Sequence, residues 1–340
     1  MKFAIVGCGA IAQFYAEAIG GIPGSCISDV FDVNPIAGEK YAKQQGAVYH
    51  SDYDELLKSG ADAVCICTPS GLHADAVIKA SEAGKHVVCE KPIGITLEQL
   101  DAISSVCSKN GTKLCAITQM LFTDSIQKVK KCIDEGRLGK ILLCDLSMKY
   151  YRNKEYYSNS GWRGTYAMDG GGALMNQGIH GIALMLYLMG DVKTVSAYAR
   201  TLVHSIEVED TSVASMEFEN GALGNVIATT SLNPSFPRKL QIHGTKGFIE
   251  ITEEQITRWD VEGEEAFAEE RTAGDSSSDP TKNLSGDMHR LQLLEFIDAV
   301  EHGRAPMLNE SFGRKPVELI LGIYRSSQQN KQVALPLDTQ

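Results

Sequence analysis

The sequence predicts an α/β protein of two domains, in which a parallel sheet covered by helices precedes a second α/β unit with an antiparallel sheet. Three observations lead there. A chain of 340 residues is too long for one ordinary core. Over its first 120 residues, short apolar runs alternate with helical patterns, as in a parallel sheet whose crossovers are helices. Further on, apolar segments recur at hairpin spacing, which suggests antiparallel pairing. The boundary is placed between domains 1–120 and 121–340.

In the first domain, strands are expected at Lys2–Val6, Ser25–Asp32, Ala63–Cys67, His86–Cys89 and Lys113–Ile117. Helices fall between them at Ala10–Ile19, Pro35–Gln45, Leu72–Ala83 and Leu97–Lys109, with Gly46, Gly60, Gly84 and Gly111 as stops. The second domain begins with a helix near Ser125–Glu135 and a strand near Lys140–Tyr150. An aromatic, polar loop leads to Gly170-Gly171-Gly172, which opens an apolar helix reaching about Met189. Strands follow at Thr194–Thr201, Asp210–Phe218, Ala222–Thr230 and Arg238–His243. The acid- and serine-rich stretch Glu253–Asp279 reads as solvated surface and loop. Helices near Asp287–Glu301 and Glu310–Ser326 close this domain.

Bulk properties exclude several classes. The formal net charge of −11 argues against nucleic acid as the main partner, because phosphate binding needs a basic surface. No apolar run approaches the roughly 18 residues that span a bilayer, so no membrane role is expected. The opening Met-Lys-Phe-Ala-Ile-Val-Gly reads as a strand and turn rather than a signal peptide. Nine cysteines, an odd number without Cys-x-x-Cys, sit mostly in strand-like segments. They read as buried small hydrophobes in a reducing cytoplasm, with no metal site.

Three constellations carry chemistry. Gly7-Cys8-Gly9-Ala10-Ile11-Ala12 has the form G-x-G-x-x-A between a strand and a helix. Such a turn lets a pyrophosphate approach the backbone and presents helix N–H groups to it. A plain glycine turn would share the pattern, but Asp32 follows Ala12 by 20 residues at the end of the next strand. There a carboxylate would hold the adenosine ribose of NAD; alternatively it caps the helix at Asn34-Pro35. Glu90-Lys91-Pro92 stands at the carboxyl end of a strand, where open parallel sheets bind ligands, although a solvated lysine would look the same. Asn176 and His180 share one face of an otherwise apolar helix, as candidates for lining a cavity or as a satisfied core pair. Beside these, the block from Tyr150-Tyr151-Arg152 to Trp162-Arg163 offers aromatic faces and cations suited to a sugar ring and an anionic group.

These segments, with Cys67-Thr68-Pro69-Ser70-Gly71-Leu72-His73, together resemble the glucose–fructose oxidoreductase, inositol dehydrogenase and rhizopine-catabolism family, Gfo/Idh/MocA. Their order and spacing match across essentially the whole chain. The resemblance implies an N-terminal Rossmann dinucleotide-binding domain plus a C-terminal α/β domain with an open antiparallel sheet, through which homodimers or homotetramers form. It implies a catalytic lysine at Lys91 and an acid/base residue at His180. Thr68, Pro69, Ser70, Leu72 and His73 would pack against the cofactor, and Glu90 and Gln119 would contact nicotinamide or ribose. Arg163, with Trp162, Tyr151 and Asn176, would meet the substrate. Three positions depart from the family pattern: Asn176 and Ala183 replace common aspartates, and Leu121 replaces a common arginine.

The expected activity is NAD-dependent oxidation of a secondary hydroxyl of a sugar or sugar derivative, first of all C3 of a hexoside or nucleotide sugar. An inositol is the alternative substrate. Of another class are an NAD-dependent glycosidase and a catalytically silent sugar-binding regulator, the latter disfavoured because Lys91 and His180 are both kept.

Overall fold

A computed structural model describes residues 1–269 and 286–338. The chain forms two units, Met1–Gln119 with Leu284–Arg314, and Met120–Asn283 with Lys315–Gln340.

In the first unit, six strands form a wholly parallel sheet: β1 (Lys2–Val6), β2 (Cys26–Phe31), β3 (Val48–His50), β4 (Ala63–Ile66), β5 (His86–Cys89) and β6 (Leu114–Ala116). Their order is β3-β2-β1-β4-β5-β6. The sheet therefore grows one way from β1 and then resumes on its other side at β4. Outside the carboxyl ends of those two strands lies the crevice where such sheets bind ligands. Helices cover both faces, which is why β4 is buried at every residue and reads as an unbroken apolar run. Edge strand β3 and the helix Tyr53–Leu57 escaped the sequence reading. Three residues, Val-Tyr-His, carry too little periodicity to register, and β3 exists by pairing with Asp29–Phe31.

The helix Gly286–Glu301, expected from the sequence in the C-terminal domain, belongs to this first unit. Its Leu293 and Phe296 are fully buried in one core with Phe3, Ile5, Tyr15 and Val88. Gln292, also buried, accepts from the Thr118 backbone N–H at 3.0 Å and donates to the Ala116 carbonyl at 2.8 Å. An apolar stripe shows that a helix needs a surface but does not say which surface.

The second unit holds an eight-stranded sheet: β7 (Ile141–Lys149), β8 (Val192–Arg200), β9 (Thr211–Phe218), β10 (Leu223–Thr229), β11 (Lys239–Gly244), β12 (Gly247–Thr252), β13 (Gln255–Val261) and β14 (Val333–Ala334). Its order is β13-β12-β11-β7-β10-β9-β8-β14, antiparallel except for the parallel pair β7–β10. The helix Ile179–Met189 packs on β7, and nine of its eleven residues are buried, which explains its nearly continuous apolar sequence. Strand β13 corrects the loop reading from Glu253 onward. Ile256 and Trp259 are fully buried there, although the surrounding acids dominate the composition. Residues 270–279 of that expected loop lie outside the described residues.

All nine cysteines are free thiols and seven are buried, as their apolar neighbours suggested. Among the described residues, no helix is long and apolar enough to cross a membrane.

Candidate active site

In the first unit the glycine loop follows β1. Gly7 has φ +95°, and an added Cβ would stand 2.9 Å from the carbonyl carbon and oxygen of Cys67. Only glycine permits that approach between the ends of β1 and β4. Beside Gly9 there is open space. Asp32, at the end of β2, accepts from the Cys8 N–H at 2.7 Å through one oxygen and from the Asn34 N–H at 2.7 Å through the other. It does not cap the next helix; Asn34 does, accepting from Ile36 and Ala37. Each Asp32 oxygen keeps a lone pair for further donors. The Cys8 thiol is pushed up to about 12, by burial first and by the Asp32 carboxylate second, so it is no nucleophile at neutral pH.

The loop after β4 runs through Thr68 and Pro69 into the 3-10 turn Ser70–Leu72 and the helix His73–Glu82. His73 is buried, with Nδ1 2.7 Å from the Pro92 carbonyl and Nε2 2.7 Å from the Thr68 carbonyl. It therefore shapes the loop and ties it to the turn that carries Lys91. Burial lowers its pKa below 6.5, and the two carbonyl acceptors pull the other way. A histidine so depressed contributes stability above the unfolded pKa, and that contribution is lost as pH falls through the folded pKa. His73→Ala should cost about 2–4 kcal/mol, because the neutral ring's one N–H bond to a buried carbonyl and its fully buried packing are lost together. A denaturation midpoint within error of the wild type would refute this bracing role.

Glu90 is buried at the end of β5 and accepts from the Tyr15 hydroxyl at 3.1 Å. His289, wholly buried, places Nε2 3.6 Å from the same Glu90 oxygen and its ring 5.3 Å from that of Tyr15. Lys91 follows, half-buried, with its backbone N–H 3.3 Å from the other Glu90 oxygen. The sequence reading missed Tyr15 and His289; they face Glu90 from two helices far apart in the chain.

Several features of this unit fit a bound dinucleotide. Thr68 Oγ1 and Gln119 Oε1 are buried without a hydrogen-bond partner among the described residues. The helix after the glycine loop, Ala12–Gly20, has Ile11 at its N-cap with no side-chain cap and no acid in its first turn, so no side chain competes with phosphate there.

The second unit gathers the other candidates. Arg152 is buried, donates to the Gln177 side-chain oxygen at 2.5 Å and to the Tyr151 carbonyl at 2.9 Å, and lies 5.6 Å from the Tyr156 ring. Arg163 stacks 4.2 Å from the same ring and 5.3 Å from that of Trp162. Tyr151 is half-buried, held through its backbone N–H on Ser235 at 2.7 Å. Asn176 accepts from the Tyr156 hydroxyl at 3.1 Å and from Gln177 at 2.5 Å, and donates to Asp169 at 2.5 Å. So the amide at 176 leans on a buried carboxylate seven residues earlier, a partner that the sequence reading did not see. Asn176, Gln177 and His180 are half-buried, while Ala173, Leu174, Met175, Gly178 and Ile179 around them are buried. The departures Ala183 and Leu121 are both core positions, 1% and 0% exposed, where an aspartate or arginine would need a partner.

Known proteins resemble the chain along its whole length. Residues 1–118 match the family model for an oxidoreductase family with an NAD-binding Rossmann fold, and residues 126–250 match the Gfo/Idh/MocA C-terminal domain model. The chain is 31% identical to the WlbA dehydrogenase from Bordetella pertussis, whose crystal structure is in complex with NADH and UDP-GlcNAcA. That likeness covers 99% of each chain with a TM-score of 0.89. It is 26% identical to the scyllo-inositol 2-dehydrogenase (NAD(+)) of Bacillus subtilis over 91% of this chain and 89% of that one. It is also 30% identical to the 2,7-anhydro-N-acetylneuraminate hydratase of Escherichia coli over 74% of this chain and 67% of that one. The glycine loop, the Asp32 latch and matches to both domain models place the chain in the Gfo/Idh/MocA family of NAD-dependent oxidoreductases.

Proposed function

We propose that the protein oxidises a ring secondary hydroxyl of a pyranose derivative with NAD, or reduces the matching ketone, with C3 of a hexoside or nucleotide-linked hexose as first choice. One observation carries this reading. On the mostly buried stretch 173–189, the half-buried polar strip Asn176, Gln177 and His180 is bordered by Tyr156 and the two guanidinium groups packed on its ring. Amides, an aromatic face and cations together suit a polyhydroxylated ring bearing an anionic substituent. The WlbA likeness, with its nucleotide sugar, supports the same class.

Gly7 to Ala12, Asp32, Thr68 and Gln119 would hold the dinucleotide, which when bound supplies the hydride acceptor. His180 takes the hydroxyl proton, because an imidazole nitrogen can accept a proton and pass it on. Lys91 donates a hydrogen bond to that oxygen, an interaction that strengthens as alkoxide character develops. Glu90 positions Lys91 from the preceding residue.

An inositol is the second reading, favoured by the scyllo-inositol dehydrogenase likeness. A third is transient oxidation without net redox change, as an NAD-dependent glycosidase would use. The hydratase likeness favours it, since hydration itself changes no oxidation state. One panel separates the three, following NADH absorbance and product release with hexosides, nucleotide hexoses, and myo- and scyllo-inositol. NADH from hexosides or nucleotide hexoses is expected. NADH from inositols alone would sink the pyranose choice, and product release without NADH would favour transient oxidation.

A second copy of the chain would dock on the open face of the eight-stranded sheet. Register places Tyr198 opposite Val213 and Leu223 opposite Leu143, four apolar side chains that are 67%, 48%, 58% and 37% exposed. Nine free thiols suit a reducing cytoplasm.

A further inference from the structure

The glycines at 170–172 precede the helix of His180, and Glu209 grips this segment from the strand side. One carboxylate oxygen accepts from the Leu174 N–H at 2.8 Å and from the Tyr324 hydroxyl at 3.0 Å. The other accepts from the Gly172 N–H at 2.9 Å, and the Glu209 backbone carbonyl accepts from the Ala173 N–H at 3.0 Å. Three consecutive backbone N–H groups thus end on one residue. The fit requires the glycines: a Cβ on Gly172 would stand 1.8 Å from the Glu209 carbonyl oxygen, and one on Gly171 would stand 2.2 Å from the Tyr324 hydroxyl.

Beyond Gly172 the chain does not start an ordinary helix. Residues Ala173–Gly178 form a π-helical turn, and the α-helix begins only at Ile179. Such turns are rare and cluster at functional sites. If this turn relaxed to α-helical pairing, every later side chain would shift in phase by about one residue, roughly 100° around the axis.

We propose that Glu209 is a positioning residue for His180: its carboxylate, closed by Tyr324, fixes the backbone of Gly172–Leu174 and so holds the π turn that aims Asn176 and His180. This rests on the reading in which His180 carries the substrate proton. The clamp works through acceptance. Protonation would turn one oxygen into a donor facing N–H groups that cannot accept, and only the Tyr324 hydroxyl could turn to receive it. Burial pushes the Glu209 carboxyl up to about 7, against the pull of those three donors. The titratable groups around it are Tyr324 on the last long helix, Tyr166 on the short helix before the glycines, and Glu207 and Asp210 on its own segment. Asp210 faces away, accepting from the N–H groups of Leu202, Val203 and His204.

The test compares the pH dependence of kcat in the wild type, Glu209→Gln, Tyr324→Phe and His180→Ala, with NADH binding and far-UV circular dichroism as controls for folding. Glu209→Gln should lower kcat about 10- to 100-fold, because its amide meets one N–H with another, and should leave KM for NAD within two-fold. Its acid limb should be shallower than the wild type's by one proton. Tyr324→Phe removes a donor to the charged form, so its acid limb should move to higher pH. If Glu209→Gln fails to fold, the Tyr324→Phe profile decides. Unchanged profiles in the folded variants, with His180→Ala inactive, would overturn the clamp alone. Near wild-type turnover in His180→Ala would overturn the underlying reading as well.

Discussion

Replacing His180 or Lys91 by alanine should lower turnover about 10²- to 10⁴-fold while leaving NAD affinity largely intact. The two substitutions act on different parts of one event. Without the imidazole, the hydroxyl proton must leave to water, and the loss falls on kcat and kcat/KM together. Without the ammonium, the developing alkoxide loses a donor that matters little to the ground state, which again appears in kcat. Groups fitted to the dinucleotide lie elsewhere, in the glycine loop, at Asp32 and at the Thr68 and Gln119 side-chain oxygens, which have no partner among the described residues. Steady-state kinetics, with dinucleotide binding followed separately by fluorescence, checks both halves of this expectation. A variant retaining near wild-type turnover would remove that residue from the mechanism.

NAD should be preferred over NADP by at least about 10-fold in kcat/KM. Charge-assisted hydrogen bonds from ribose hydroxyls to the Asp32 carboxylate should contribute roughly 1.5–3 kcal/mol. A 2′-phosphate would forfeit them and meet like charge. The residues after it, Val33 and Asn34, offer no cation to offset it, and Val33 is 87% exposed. Since Asp32 also holds the Cys8 N–H, Asp32→Ala should weaken NAD binding through the loop as well as through the ribose. Comparable efficiency with both dinucleotides in the wild-type enzyme would contradict the assignment.

The sequence was most legible where local chemistry and fold agree. Gly7 and Gly9 between a strand and a helix, followed by Asp32, have one good structural reading, and the parallel sheet obeys the same alternation. Legibility failed where partners are remote or signals short. His289 meets Glu90 across most of the chain's length, and nothing in either neighbourhood announces it. Trp259 is a core residue inside an acidic stretch, so composition pointed to surface while the register of β13 put it inside. Asn176 read as a lost charge, yet Asp169 restores a carboxylate beside it from the preceding turn. Periodicity also treated 173–189 as one helix, because a π turn inserts its extra residue without altering composition.

The return of Gly286–Glu301 to the first unit bears on how the protein is made. The cofactor-binding sheet is complete in strands once Ala116 has been synthesised, but its core still lacks Leu293 and Phe296, and Glu90 still lacks His289. Between those two moments the ribosome delivers most of the eight-stranded sheet. The earlier-made unit is therefore the one that waits. During that interval an apolar face beside Phe3, Ile5 and Tyr15 stands uncovered, at the stage of synthesis when nascent chains are most exposed to misassembly.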